Sequence, residues 1–274
     1  MFHCRYQPRI ALLLMAVSSL LLTAGPLPAG EMVFPGKDWE EAAPAAQSLD
    51  EAKLAAAVNY LKENSGRDGV RELVIVQNGR LVWKGDNIDH VHGVWSCTKS
   101  FTSTVLGLLI DDQKCTLDAP AKKFVPELAE HYGDVRLRHL ATMTSGYRAI
   151  GDEPQGSYTH GPSRTPFEPS KEPLFAPPGS QYAYWDSAMN LFGLVLTRIA
   201  QEPLEDVFKR RIADPIGMKN WDWGDYATID GVVVNGGSGN AGKHVTISAR
   251  EMARLGHLFL NRGNWNGKQL ISAE

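Results

Sequence analysis

Ser96-Cys97-Thr98-Lys99 sets a hydroxyl and an amine three positions apart, and on a helix such a pair shares one face. A serine hydroxyl becomes a nucleophile only when a neighbouring group takes its proton. Lysine can do this when burial disfavours its charge, and the apolar run after Lys99 supplies such surroundings. Ser96 also opens its helix, where unpaired backbone N–H groups are expected to hold a developing oxyanion. The spacing alone is weak, because Ser-x-x-Lys occurs by chance in a chain of 274 residues. A solvated Ser/Lys pair is the bland alternative.

The elements around the pair strengthen it. Leu73 to Val76 and Leu81 to Trp83 flank Asn78-Gly79, a hairpin signal because both turn residues tolerate positive φ. Val94-Trp95 then leads into a helix from Ser96 to about Asp112, apolar or small nearly all round and so expected to be central and buried. Upstream, Ser48 with Glu51 reads as the capping box of a first helix whose apolar face is Leu54, Val58 and Leu61. Residues 113–180 read as loop-rich, with a short helix around Arg136 to Met143. Helices are expected at Ser187 to Ala200, from Pro203, and from Ser248 to about Asn261.

Composition is that of an ordinary globular protein: 43% hydrophobic, 22% charged and a net charge of −3. No basic excess points to nucleic acid, and no charge block points to a polybasic membrane patch. Arg5 and Arg9, the apolar run Ile10 to Ala24 and the small residues up to Gly30 read as a signal peptide over 1–29. That run is short of the roughly 20 apolar residues that span a bilayer. Export to the periplasm or the extracellular space is the expectation, with 30–47 a linker. Cys97 and Cys115 would then be the remaining cysteines. Eighteen helical steps part them by roughly 27 Å, so no bridge is expected and Cys97 should pack as a small apolar residue.

Two other motifs carry less chemistry. Gly237 to Lys243 follows the strand-like Val232 to Val234 and fits a phosphate loop as far as its lysine. His244 stands where a magnesium-binding Ser or Thr would be needed, and no helix starts there. His90 and His92 alternate, but without a ligand cluster they read as loop histidines, and no metal is expected. No Gly-x-Ser-x-Gly elbow occurs.

Val94 to Ser103, around Ser96, resembles the nucleophile segment of the serine β-lactamase-like and penicillin-binding-protein-like hydrolases, the class C β-lactamase type. Three further stretches resemble that family's landmarks in order. They are His139 to Tyr147 (its Leu-Thr-Ser-Gly turn), Pro178 to Asp186 (its Tyr-x-Asn motif) and Pro215 to Met218. The resemblance implies an α/β sandwich with an antiparallel sheet and a helical lobe, about 113–247, within a domain over 48–274. It further implies a serine hydrolase acting on an amide or ester without cofactor. Ser96 would be nucleophile, Tyr184 would accept or relay its proton, and Lys99 would assist. Asp186 replaces the usual asparagine and would contact substrate. A carboxylate only accepts hydrogen bonds and carries charge, so beside Lys99 it would favour the ammonium. The family's third motif, a Lys/His-Thr-Gly strand, has no counterpart, and C-terminal strands are expected to be missing. The expected partner is a small-molecule or peptide substrate, with no protein partner evident. The competing reading is a non-catalytic binding protein, or an inactive fragment, that keeps the pocket.

Overall fold

The computed structural model describes residues 31–66, 69–152, 165–238 and 242–273. The expected signal peptide with Cys4, and the middle of the 237–243 glycine loop, lie outside the described residues.

Helix α1 (Glu51–Asn64) is capped by Asp50, whose carboxylate accepts from the Lys53 N–H at 3.0 Å. Ser48, expected as the cap, instead closes a 3-10 turn, Pro44–Gln47, at φ 60°. Both residues carry a short oxygen-bearing side chain, and the turn decides which one reaches the helix start. Of the expected apolar face only Val58 is buried.

The hairpin forms where expected. Antiparallel strands β1 (Val74–Gln77) and β2 (Arg80–Lys84) meet across Asn78 and Gly79, at φ 52° and 79°. A Cβ on Gly79 would lie 1.8 Å from the Val33 carbonyl oxygen, so that turn requires glycine. Residues 31–47, expected as a linker, lie along this hairpin instead. Val33 bonds Asn78, Leu81 exchanges backbone hydrogen bonds with Glu40 and Ala42, and the Trp39 side chain is buried.

Strand β3 (His92–Gly93) and a 3-10 turn, Trp95–Cys97, lead into helix α2 (Thr98–Asp111). Beyond it lie α3 (Leu137–Ala141), α4 (Asp186–Ala200), α5 (Leu204–Phe208) and α6 (Asp214–Ile216). Strands β4 (Trp221–Trp223), β5 (Asp225–Ile229), β6 (Val232–Asn235) and β7 (Val245–Ile247) follow, then α7 (Ala249–Leu260) and a small closing hairpin, β8 (Asn264–Trp265) and β9 (Lys268–Gln269). Ser248 caps α7 as expected, accepting from the Glu251 N–H at 3.4 Å. Pro203 caps α5 rather than occupying its first turn.

All strand pairs are antiparallel, and β7 is the centre of a three-stranded sheet ordered β3-β7-β4. The region expected as a helical lobe therefore contains four strands, one of which pairs back onto β3. Only β6 was signalled, by the strand-like Val232 to Val234; the shortness of the other three hides them from periodicity, since three to five residues hold barely one cycle of alternation.

The core forms where α2 meets α4. In α4, 14 of 15 residues are buried, against 8 of 14 in α2, so α4 is the more central helix. Gly193 permits its close approach to β6: a Cβ there would lie 2.9 Å from the Asn235 carbonyl oxygen. Phe101 of α2 packs tilted against Phe208 of α5, centroids 5.0 Å apart, with Trp223 of β4 edge-on to both. Burying each such side chain contributes about 1.5–3 kcal/mol, and here it also fixes the helix that carries Lys99. Among the described residues no helix is long and apolar enough to cross a membrane.

Candidate active site

Ser96 sits in the exposed 3-10 turn before α2. That turn hangs from β7: β3 pairs with it, the Val94 N–H donates to the Val245 carbonyl at 3.0 Å, and the buried Thr98 hydroxyl accepts from the Val245 N–H at 2.9 Å. Trp95, immediately before Ser96, holds a left-handed φ of 48° and stacks on His244, ring centroids 5.3 Å apart. A bulky residue there is conformationally costly, and such strain is commonly held at functional sites.

One helical turn along, Lys99 points its ammonium at three oxygens. It donates to Ser96 Oγ at 3.0 Å, to the Tyr184 hydroxyl at 2.9 Å and to Asp186 Oδ1 at 3.0 Å. The Ser96 and Tyr184 hydroxyls are themselves hydrogen-bonded. An ammonium has three protons, so one nitrogen serves the three partners. The Lys99 and Asp186 side chains are only 12% and 11% exposed, which excludes most of the water that would weaken this pair. Asp186 also opens α4, where the helix dipole favours a carboxylate.

Tyr184 and Asp186 arrive from the segment before α4, and the turn after α3 holds that segment. Gly179 N–H donates to Thr144 O at 2.7 Å and Ala183 N–H to Met143 O at 3.0 Å. At Gly146, φ is 69° and a Cβ would sit 2.3 Å from Phe175 O, so this turn depends on glycine. Four residues singled out in the sequence, 90 positions apart at the extreme from Ser96 to Asp186, are thus brought into one cluster.

Some expectations need correcting. The Cys97 N–H bonds Val94 O and the Thr98 N–H bonds the turn's own carbonyls. The N–H groups of Cys97 and Thr98 are thus engaged within the turn rather than free for an oxyanion. Cys97 is exposed and Cys115 is the buried thiol, both free, because the 3-10 turn swings position 97 outward. His90 and His92 do meet a carboxylate, 2.8 and 2.7 Å from the two oxygens of Glu72. No group of three or more His, Cys, Asp or Glu residues among the described residues could hold a metal ion.

Sequence reading missed Asp152. Its buried carboxylate accepts from the Trp185 indole N–H at 2.7 Å, the Ser187 hydroxyl at 2.5 Å and the Ala149 N–H at 2.8 Å. Burial pushes this carboxyl above the usual aspartate range, with those hydrogen bonds opposing. A lone aspartate in a loop carries no spacing signal that could have revealed it.

The beta-lactamase family model matches residues 54–273, nearly the whole described chain. The chain belongs to the beta-lactamase family. It is 29% identical over 204 residues to a D-alanyl-D-alanine-carboxypeptidase/endopeptidase, AmpH, of Escherichia coli, covering 64% of this chain and 52% of that protein. It is 26% identical over 212 residues to the esterase EstB of Burkholderia gladioli, covering 65% and 53%. The octameric penicillin-binding protein homologue from Pyrococcus abyssi superposes with a TM-score of 0.57 at 20% identity, covering 82% of this chain and 58% of that one. This likeness shows the family's mixed α/β fold with antiparallel sheets. The chain spans about half the length of the curated relatives it matches.

Proposed function

We propose that this chain is a serine hydrolase that cleaves an amide or ester through an acyl-enzyme on Ser96. The observation that carries this reading is the closed set of hydrogen bonds among Ser96 Oγ, Tyr184 OH and Lys99 Nζ at an exposed serine. Tyr184 acts as its phenolate, whose charge the Lys99 ammonium holds, and takes the Ser96 proton as Oγ attacks the carbonyl. The proton passes to the departing amine or alcohol as the tetrahedral intermediate collapses. Water then gives its proton to Tyr184 and adds to the acyl carbon. Collapse releases the acid and returns a proton to Ser96.

β-Lactams, D-alanyl peptides and small esters or amides all present the required carbonyl. The names of the relatives support peptides and esters as first choices. Asp186, at the site's inner edge, accepts hydrogen bonds and so suits a substrate N–H. Export belongs to this reading and is supported by the charge and apolar pattern of residues 1–29.

Intact mass spectrometry after incubation with a fluorophosphonate, a fluorescent penicillin and a p-nitrophenyl ester tests the proposal. One adduct per chain is expected, on Ser96, and none on Ser96→Ala. Equal labelling of that variant would move the nucleophile elsewhere, and no adduct on the parent with any probe would favour a binding protein.

A further inference from the structure

Asp152 stands outside the proton path and is only 7% exposed. Among the described residues no lysine or arginine forms an ion pair with it, and three hydrogen-bond donors hold it instead. Two of those donors flank Asp186 in sequence. Trp185 lies between Tyr184 and Asp186, and Ser187 follows Asp186 directly. The third donor, Ala149, belongs to the chain that leaves the Gly146 turn, the same turn that bonds the Tyr184 segment through Met143 and Thr144.

The backbone at Trp185 explains what this clamp does. At φ −140° and ψ 109° it is extended, and in extended chain successive side chains point to opposite sides. With the indole turned inward to Asp152, Tyr184 and Asp186 turn the other way, and both meet the Lys99 ammonium. Fixing one side of this short stretch fixes the other. Ser187, in the first turn of α4, anchors the same stretch from its far end.

We infer that Asp152 is a positioning residue: its carboxylate grips Trp185 and Ser187 so that Tyr184 and Asp186 are presented together to Lys99 and Ser96. Their roles rest on the serine hydrolase reading; the clamp itself is geometric. Both N–H donors share Oδ2, and the hydroxyl uses Oδ1. An asparagine can therefore keep all three contacts, its oxygen accepting the two N–H groups and its amide donating to the Ser187 oxygen. Alanine keeps none of them.

The test uses the full chain with 15N-labelled tryptophan and 13Cζ-labelled tyrosine. Trp185→Phe and Tyr184→Phe assign the two signals, and the rate of fluorophosphonate labelling is read in parallel. Asp152→Ala is expected to shift the Trp185 indole and Tyr184 signals and to slow labelling about 100-fold, the loss that a misplacement of about 1 Å brings. Asp152→Asn is expected to restore both signals and a near-parental rate. A folded Asp152→Ala protein with an unmoved Tyr184 signal and the parental rate would overturn the inference. So would an asparagine variant as impaired as the alanine one, since the contacts were kept. Should Asp152→Ala not fold, Trp185→Phe removes one grip alone. It must shift the Tyr184 signal and slow labelling, and no change in either defeats the clamp. If the parent protein itself takes no label, the serine hydrolase reading fails, while the Tyr184 signal still decides the geometry.

Discussion

Lys99 and Tyr184 are expected to act on one proton as a unit, which a double-mutant cycle can measure. Lys99→Met removes an ammonium 3.0 Å from Ser96 Oγ and 2.9 Å from the Tyr184 oxygen; Tyr184→Phe removes the oxygen bonded to both. Each change breaks the same closed path. General acid–base catalysis contributes about 10²–10⁴ in rate. Each single variant should therefore lose about 10³, or about 4 kcal/mol of transition-state stabilisation. Independent contributions would multiply to about 10⁶ in the double variant. A shared path has already been lost in either single variant, so the double variant should stay near 10³–10⁴. The assay is the second-order rate of fluorophosphonate labelling, corrected for the Ser96→Ala background.

A complication follows from burial. Lys99→Met leaves Asp186, 11% exposed, without its counter-ion, and removing one partner of a buried pair can cost about 3–5 kcal/mol of stability. A melting curve on each variant, and the Lys99→Met/Asp186→Asn pair, separate unfolding from lost chemistry. Multiplicative losses in folded proteins would refute the shared-proton reasoning.

Asp186→Asn keeps an oxygen facing Lys99 at the 3.0 Å contact and removes the negative charge. The acidic limb of the kcat/KM profile should move to lower pH; an unchanged profile would detach Asp186 from proton transfer. His257 is buried, 2.9 Å from the Val33 carbonyl and packed edge-on against Trp39 and Trp265. Burial holds its imidazole below the ordinary histidine range, with the Val33 hydrogen bond opposing. The unfolded chain then binds this proton more readily than the folded one. Its contribution is full above the ordinary value of about 6.5 and declines as pH falls through the folded value. The Tm should therefore drop on acidification below pH 6.5, and His257→Gln should flatten that slope; equal slopes would assign the acid loss elsewhere.

How much of this was legible in the sequence varies with the kind of signal each part leaves. The hairpin was legible because Asn78-Gly79 dictates local geometry whatever packs around it. Helix α4 was legible to within a residue, since a long apolar run bounded by Asp186 and Gln201 has few other fates. Strands β4, β5 and β7 were not legible: three to five residues each, they are strands because partners lie alongside them, and only tertiary context supplies a partner. The region 31–47 misled for the same reason. Its proline and small residues read as linker, yet Trp39 finds a buried place and Glu40 to Ala42 find the edge of β2.

The candidate site divides along the same line. Ser96 and Lys99 are local, three residues apart across the 3-10 turn and the start of α2, and their spacing proposed them. Tyr184 and Asp186 lie more than eighty residues away, and nothing within their own stretch ties them to Lys99. They became legible only through the order of motifs resembling a known family. Asp152 had neither kind of signal. Its contribution is to bind the residues on either side of Asp186, a relation that exists only once the chain has folded. Residues that touch the reacting atoms recur as motifs because the chemistry fixes their types, whereas residues that aim them can be any donor or acceptor the local packing admits. Positioning groups are therefore the part of such a site that a single sequence is least able to show, and substitution at Asp152 tests more than one side chain. It asks whether a catalytic arrangement assembled from distant segments depends on a contact made entirely behind it.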